Sequence, residues 1–378
     1  TLKKYGSAPG PEALAIKANI EGKTTTTPHD YCNSCAPGIG LCAFPLCNLL
    51  DYKNKDKFQV DDKFQWSLIK KNELRIEFEN KWINADSFES TLVKFDSPLE
   101  VDVERVEFIL PVDCKFLLDA LGRFLALSNQ LADKGLDVVI NFDEKSKYFY
   151  YLNRLGFFDH LLTNIQIIPK RPENSTAKKY EGNNKSLLEL RAIEPQKKNK
   201  TLINQLSDCF VQLSSKKYDS AASTIFGELI GNIVDHSNTK LNGVAGLQKY
   251  EGKAGHKSHI QTIVSDSGLG ISTTLRPALK EHHPELFKLF QKLDAESDIQ
   301  LVKATLSKGE ISRLGPGHGL GFKSSKDLAM KFEANFSIRQ EKFGLDFLLK
   351  NGNIVQIKEH KNLAKIIGTH ICFDFYID

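Results

Sequence analysis

Long hydrophobic runs are missing from this sequence. No stretch approaches the ~18 consecutive apolar residues that a membrane-spanning helix needs, and no signal-peptide pattern opens it. Membrane insertion and secretion are therefore not expected. Charge of one sign is equally scarce: 51 Lys and Arg stand against 47 Asp and Glu, too small an excess to argue for nucleic acid. A disulfide framework has little support, because seven cysteines are an odd count in a chain without a secretory signature. Methionine occurs once, at Met330, and the sequence begins at Thr1, so either an initiator methionine has been removed or the numbering starts inside a longer chain. What these absences leave is a cytoplasmic, mixed α/β protein with room for two or three domains.

The common nucleotide-loop signatures are lacking too. The most glycine-rich stretch is "RLGPGHGLGFKSS", Arg313 to Ser325, with Gly315, Gly317, Gly319 and Gly321 at alternate positions. A dinucleotide fingerprint needs a sixth-position glycine that neither Leu320 nor Phe322 supplies. A Walker A loop needs glycine directly before Lys-Ser, where Phe322 precedes Lys323 and Ser324. Alternating glycines still let backbone amides converge on an anion. The helix expected after them, about 323–334, adds its positive N-terminal end, and Lys323 adds a charge.

Three regions differ in character. Residues 1–95 open on a Gly/Pro/Thr-rich arm and then read as short strands ("KFQVDDKFQW", "NELRIEFENKWI"). From 96 to 170 the pattern is strand, helix, strand, helix, strand, which implies a parallel or mixed sheet with right-handed crossovers. "VERVEFILP", "LDVVINFD" and "IQIIP" are the strands, and "CKFLLDALGRFLALSNQLADKG" and "SKYFYYLNRLGFFDHL" the amphipathic helices. Residues 171–185 are Pro-, Asn- and Lys-rich and read as a basic linker. From 186 to 378 two helices, "TLINQLSDCFVQL" and "YDSAASTIFGELIGNIVDHS", follow the strand "SLLELRAI", and strands dominate the end.

The second of those helices carries chemistry. At 100° per residue Glu228, Asn232 and Asp235 share a narrow arc with His236 beside them, and Ile225, Phe226, Leu229, Ile233 and Val234 fill the opposite one. Gly231 among them costs a helix about 1 kcal/mol against Ala and suggests a close approach. The competing reading is a plain solvated face. Next, the strand Ile260–Val264 delivers Asp266 into "SDSGLGI", where Gly268 and Gly270 permit a tight turn. A carboxylate there is placed to accept a hydrogen bond from an exocyclic amine, although Asp and Gly also enrich ordinary turns.

The order of these motifs, E-x-x-x-N on a helix, D-x-G-x-G after a strand, G-x-G-x-G before a helix, then a late strand opening at Gly368-Thr369, resembles the GHKL superfamily of gyrase-type ATPases, MutL proteins, histidine kinases and anti-sigma-factor kinases. The resemblance covers about 186–378. It implies a Bergerat α/β sandwich with a mixed sheet, binding ATP and Mg²⁺. Glu228 matches the general base, Asn232 the Mg²⁺ ligand, and Asp235 and His236 polar positions near the phosphates. Asp266 matches the residue that binds the adenine amine, with Gly268 and Gly270 shaping its wall and Thr369 supporting it. Gly317, Gly319 and Gly321 match the second glycine box, part of the lid over the triphosphate; Gly315, Leu320 and Lys323 are candidates for the same cradle, and His318 is placed either to reach the phosphates or to face water. The sequence ends at Asp378, and no transducer lysine and no phosphoacceptor helix are expected in it, which disfavours a strand-passage engine or a sensor kinase. The expected role is an ATP-hydrolysing regulatory switch, with a serine/threonine kinase or a non-hydrolysing ATP sensor as the alternatives. A protein partner is expected and homo-oligomers are compatible with it; nucleic acid is not indicated beyond the basic linker.

Residues 96–170 look like a STAS-type domain. Ser146 stands near the phosphoacceptor place of that class, but its context departs from the usual D-S-[GS], and helix capping is the simpler reading. Cys32, Cys35, Cys42 and Cys47, spaced C-x2-C-x6-C-x4-C after His29, form a candidate zinc site, against another metal or cluster, or reduced free thiols. Cys114, Cys209 and Cys372 lie among apolar residues and read as core.

Overall fold

In the computed structural model the described residues are 72–95, 97–252, 257–308 and 333–377, with the backbone of four two-residue strands at Asn19–Ile20, Lys23–Thr24, Phe58–Gln59 and Ile69–Lys70. The chain divides into two compact units, Thr1–Arg75 and Ile76–Asp378. In the first, Asn19–Ile20 pairs antiparallel with both Lys23–Thr24 and Phe58–Gln59. The glycine loop, Lys323, His29 and the four N-terminal cysteines lie outside the described residues.

The second unit is mixed α/β, with parallel and antiparallel sheets. Its first sheet has the order β6-β5-β3-β1, from Gln166–Ile168 (β6), Asp137–Phe142 (β5), Arg105–Leu110 (β3) and Glu73–Glu77 (β1). β3, β5 and β6 run parallel, as the strand–helix alternation implies. Trp82–Ile83 (β2) pairs in parallel with Lys115–Phe116 (β4). The Cys114–Phe116 stretch, expected to begin a helix, is thus drawn out as an extended link. A helix that the sequence pattern did not indicate, Ala85–Val93 (α1), starts where Asn84 Oδ1 accepts the Ser87 amide at 2.9 Å, a side-chain N-cap.

Leu118–Asp133 (α2) was expected to be amphipathic, yet it is buried almost all round, as a helix between two layers must be. On one side Phe124 stacks on Phe116 at 5.0 Å and meets Phe108 edge-on at 5.0 Å. On the other, a Cβ at Gly122 would sit 2.8 Å from Ile263 Cδ1 of the second sheet. Tyr148–Leu155 (α3) and Phe157–His160 (α4) are separated by Gly156 at φ +88°. The α3 N-cap is Lys147, without a side-chain bond, so the buried Ser146 does not cap the helix as expected. The segment read as a linker is tied down: Arg171 donates to the carbonyls of Phe158, Leu161, Leu162 and Ile165, and Thr176–Lys179 (α5) buries Ala177.

The second sheet has seven strands, Leu187–Ile193 (β7), Gly243–Tyr250 (β8), Ser258–Ser265 (β9), Ala334–Gln340 (β10), Phe343–Lys350 (β11), Asn353–His360 (β12) and His370–Ile377 (β13). Their order is β7-β8-β9-β13-β10-β11-β12. The mixed sheet expected for 186–378 is not what forms: every neighbouring pair is antiparallel, largely because hairpins join β8 to β9 and β10 through β12. Lys200–Leu213 (α6) and Asp219–His236 (α7) cover one face, and Phe210, Phe226, Ile260, Phe336 and Phe373 share a single core there. Ile271–His282 (α8), Pro284–Leu289 (α9) and Ala295–Lys308 (α10) follow β9. Arg276 of α8 binds them together, donating to Asp298 Oδ1 at 2.6 Å and Ser297 Oγ at 3.1 Å. Among the described residues no helix is long and apolar enough to cross a membrane.

Candidate functional site

The α7 helix sorts its residues as the 100° spacing requires. Ile225, Phe226, Leu229 and Ile233 are buried, Glu228 and Asp235 are exposed, and Asn232 and His236 are half-buried. Asn232 Nδ2 is shielded from solvent and has no hydrogen-bond partner. An unpaired buried amide nitrogen costs about 1–3 kcal/mol, so this position has unused capacity for a polar ligand.

The C-terminal end of α7 abuts the Asp266 turn. Ser237, the residue capping α7, accepts the Leu269 amide on its carbonyl at 3.0 Å. A Cβ on Gly268 would come within 2.4 Å of Ser237 Cα and O. Only glycine therefore lets the turn lie against the helix end, which is the physical reason for Gly268. It also brings Asp266 to the end of the helix that carries Glu228 and Asn232.

Register fixes the third part. β9 and β13 pair up to Ser265↔His370, so Asp266 and Thr369 are the first residues beyond the paired ends and face each other. The Asp266 amide donates to Thr369 O at 3.0 Å. In return the Asp266 carboxylate accepts the Gly268 amide at 2.6 Å, and the nearby Thr369 amide also favours its charged form. Gly368, at φ +100°, passes so close that a Cβ would lie 2.1 Å from Asp266 O. Asp266 is 6% exposed. Burial pushes its carboxyl up to about 6 against the opposing pull of the two amides, so it is an anion at neutral pH with few donors spent on it.

Three contributors to this wall have no signature in the sequence pattern. Gln340, ending β10, accepts the Ile271 amide at 2.7 Å on Oε1 and donates to Thr369 Oγ1 at 3.0 Å. It thus links the Gly270 turn to Thr369. Gln130 of α2 donates to Ser267 Oγ and Ile367 O, both at 2.8 Å. Arg339 is wholly buried, reaches the carbonyls of Gln340, Glu341 and Ile366, and pairs with Glu89 of α1 at 3.1 Å. Burial alone would raise the Glu89 carboxyl, but Arg339 and Arg123 beside it hold it below the usual carboxylate range.

Asp266, Gly268, Gly270 and Thr369 are therefore gathered into one wall, and the α7 polar arc is anchored to it through Ser237. Away from it, Asp86, Asp346 and His360 bring ligand-type atoms within 4.8 Å of one another. His360 Nε2 lies 2.5 Å from Asp346, and Lys358 lies 3.3 Å from Asp86, so protein groups already engage these acids. Cys114 and Cys372 are buried, as expected of core thiols, whereas Cys209 is half-buried. No family model matches the chain, and no curated protein matches it significantly.

Proposed function

We propose that residues 186–378 are a GHKL-type domain that binds Mg²⁺-ATP, with 96–170 a STAS-like domain packed against it, and that the protein works as a nucleotide-dependent regulatory switch. The observation that carries this reading is Asp266: a buried carboxylate at a strand end, oriented by the Gly268 amide, against the end of the helix bearing Glu228 and Asn232. Buried carboxylates are costly unless something needs them. One that must accept a hydrogen bond from an adenine amine satisfies that condition.

Asn232 fits the metal's demand for few protein oxygens beside phosphate and water: its Oδ1 would hold the metal, and its unpaired amide nitrogen would be free to donate to a phosphate oxygen. Bound Mg²⁺-ATP would supply an electrophilic γ-phosphoryl group whose charge the metal partly neutralises. The chain's own part is to hold the base through Asp266, to hold the metal through Asn232, and to take a proton from an attacking hydroxyl at Glu228. Glu228 is exposed and so is open to water or to a hydroxyl on a partner protein. Asp235 and His236, and the loop from Gly315 to Lys323, complete the proposed phosphate side. The segment after Gly270 that carries α8–α10 would act as a lid over the nucleotide and so change the surface offered to a partner when nucleotide is bound.

Incubation of the protein with Mg²⁺ and ATP, followed by measurement of bound nucleotide and released phosphate, tests the reading. Wild type is expected to retain ATP, and Asp266→Asn to lose it. Failure of the wild type to bind, or unaltered affinity in Asp266→Asn, overturns the proposal. Transfer of γ-label to a protein instead of phosphate release would reassign the activity to a kinase.

A further inference from the structure

We infer that Gln130, on the helix α2 contributed by the STAS-like region, is a positioning residue for the adenine wall; the inference rests on the ATP-binding reading above. Two backbone segments of the wall, 266–268 and 367–369, carry Asp266 and Thr369. Gln130 is the side chain that spans both. Its Nε2 donates to Ser267 Oγ and to Ile367 O, each at 2.8 Å, and its Oε1 accepts the Ile367 amide at 2.9 Å. Both amide protons are used, and the side chain is only 4% exposed. Such a buried, fully satisfied amide tolerates little displacement, because each bond lost leaves a desolvated polar group behind.

What it holds is what orients Asp266. The Asp266 carboxylate accepts the Gly268 amide at 2.6 Å and the Asp266 amide donates to Thr369 O at 3.0 Å, so its two anchors lie one residue beyond Ser267 and two beyond Ile367. A shift of either segment moves one of the two bonds that hold Asp266. The helix behind Gln130 is itself pinned at its other end. Leu117, its N-cap, makes no side-chain capping bond. Instead Tyr250 Oη accepts the Leu118 amide at 3.2 Å and Gln261 Oε1 accepts the Asp119 amide at 3.1 Å. The sheet thus caps α2 at its start, and α2 clamps the edge of the sheet near its end. The STAS-like region therefore helps set adenine recognition without touching the nucleotide.

The test compares ATP with purine riboside triphosphate, which lacks the 6-amino group, on wild type, Gln130→Leu and Ser267→Ala. Wild type is expected to prefer ATP. Gln130→Leu is expected to weaken ATP about tenfold, the equivalent of one buried hydrogen bond, while binding the analogue nearly as before, so that the preference collapses. In the nucleotide-free protein the Gly268 and Thr369 amides should exchange hydrogen faster in Gln130→Leu, a readout that needs no ligand. Ser267→Ala removes one bond of the clamp and should lose part of the preference; it decides the matter if Gln130→Leu does not fold. If wild type does not distinguish the two nucleotides, the adenine reading fails and the inference falls with it. If wild type distinguishes them and the folded variants keep the same ratio, the reading stands and the role of Gln130 is overturned.

Discussion

Gly368 offers the sharpest test of the wall's geometry. An alanine there meets two penalties. At φ +100° an L side chain costs about 1–2 kcal/mol in backbone strain. The new Cβ would also lie 2.1 Å from Asp266 O and 2.9 Å from Ser267 Cα. Both are backbone atoms of the opposing segment and cannot swing aside, so overpacking adds about 1–3 kcal/mol. Gly135 is the internal control, because at φ +94° it has nothing within 4 Å of its would-be Cβ and meets the first penalty alone. Urea unfolding of Gly135→Ala and Gly368→Ala should therefore differ by the overpacking term, with Gly368→Ala less stable by about 1–3 kcal/mol. Gly368→Ala should also bind ATP more weakly under conditions where it remains folded, since relief of the clash must move Asp266 or Thr369. Equal losses in the two variants, or undisturbed nucleotide affinity in Gly368→Ala, would refute the close approach of these segments.

Four further outcomes can be checked. On the proposed reading Asp266 accepts the adenine amine as a carboxylate, and burial pushes its carboxyl up to about 6, so ATP affinity of the wild type measured by calorimetry should fall as pH drops through that value, roughly tenfold per unit well below it. The sign reverses for the nucleotide-free fold: a carboxyl raised above its ordinary 3.8 stabilises the native state most in acid and loses that contribution as pH rises through about 6, which the melting difference between wild type and Asp266→Asn should reveal. Glu228 is exposed, so Glu228→Ala should leave stability within about 0.5 kcal/mol and keep ATP bound, while phosphate release falls by about two to four orders of magnitude. Glu89→Gln strands the buried Arg339 and should cost about 3–5 kcal/mol, whereas Arg105→Ala, breaking a half-exposed pair with Asp137 at 2.7 Å, should cost less than about 1 kcal/mol for the pair itself; comparable losses would show that the Glu89 pair is not the buried anchor described.

What was legible in the sequence is what is local. The α7 face, the Asp266 turn and the alternation of β13 depend on residues within one or two turns of each other, and periodicity carries that information. The N-cap of α1 was readable in principle, as Asn84 three residues before Ser87, but nine residues hold too little apolar periodicity to announce a helix. The beginning of α2 misled because Lys115–Phe116 is drawn into a pairing with Trp82–Ile83, and no helical propensity reports that. Gln130 and Arg339 were invisible for a stronger reason: their partners lie 237 and 250 residues away in the chain, so nothing in their neighbourhoods distinguishes them from solvated side chains. The antiparallel sheet is the same kind of case, since strand direction is settled by long-range pairing.

The polar half of β13 shows how far this matters. Ile371, Phe373 and Phe375 point into the core shared with α6 and α7, while His370, Cys372, Asp374 and Tyr376 occupy the other face. Such alternation ordinarily means one face in water. Here that face receives α1 and α2, and polar pairs make much of the contact. Gln261 accepts the Asp119 amide of α2 at 3.1 Å and Tyr250 accepts that of Leu118 at 3.2 Å, Gln130 of α2 donates to Ser267 at 2.8 Å, and Arg339 meets Glu89 of α1. An apolar interface of this size would tolerate α2 sliding along the sheet, because hydrophobic contact is non-directional. This one does not: a slip of one turn, about 5.4 Å, would break the Leu118–Tyr250, Asp119–Gln261 and Gln130–Ser267 bonds together and leave each group buried and unpaired. Polar docking therefore sacrifices some stability relative to an apolar seam and fixes a single register. Because Gln130 sits at the far end of that register, the position of α2 and the aim of Asp266 are set by the same network of bonds.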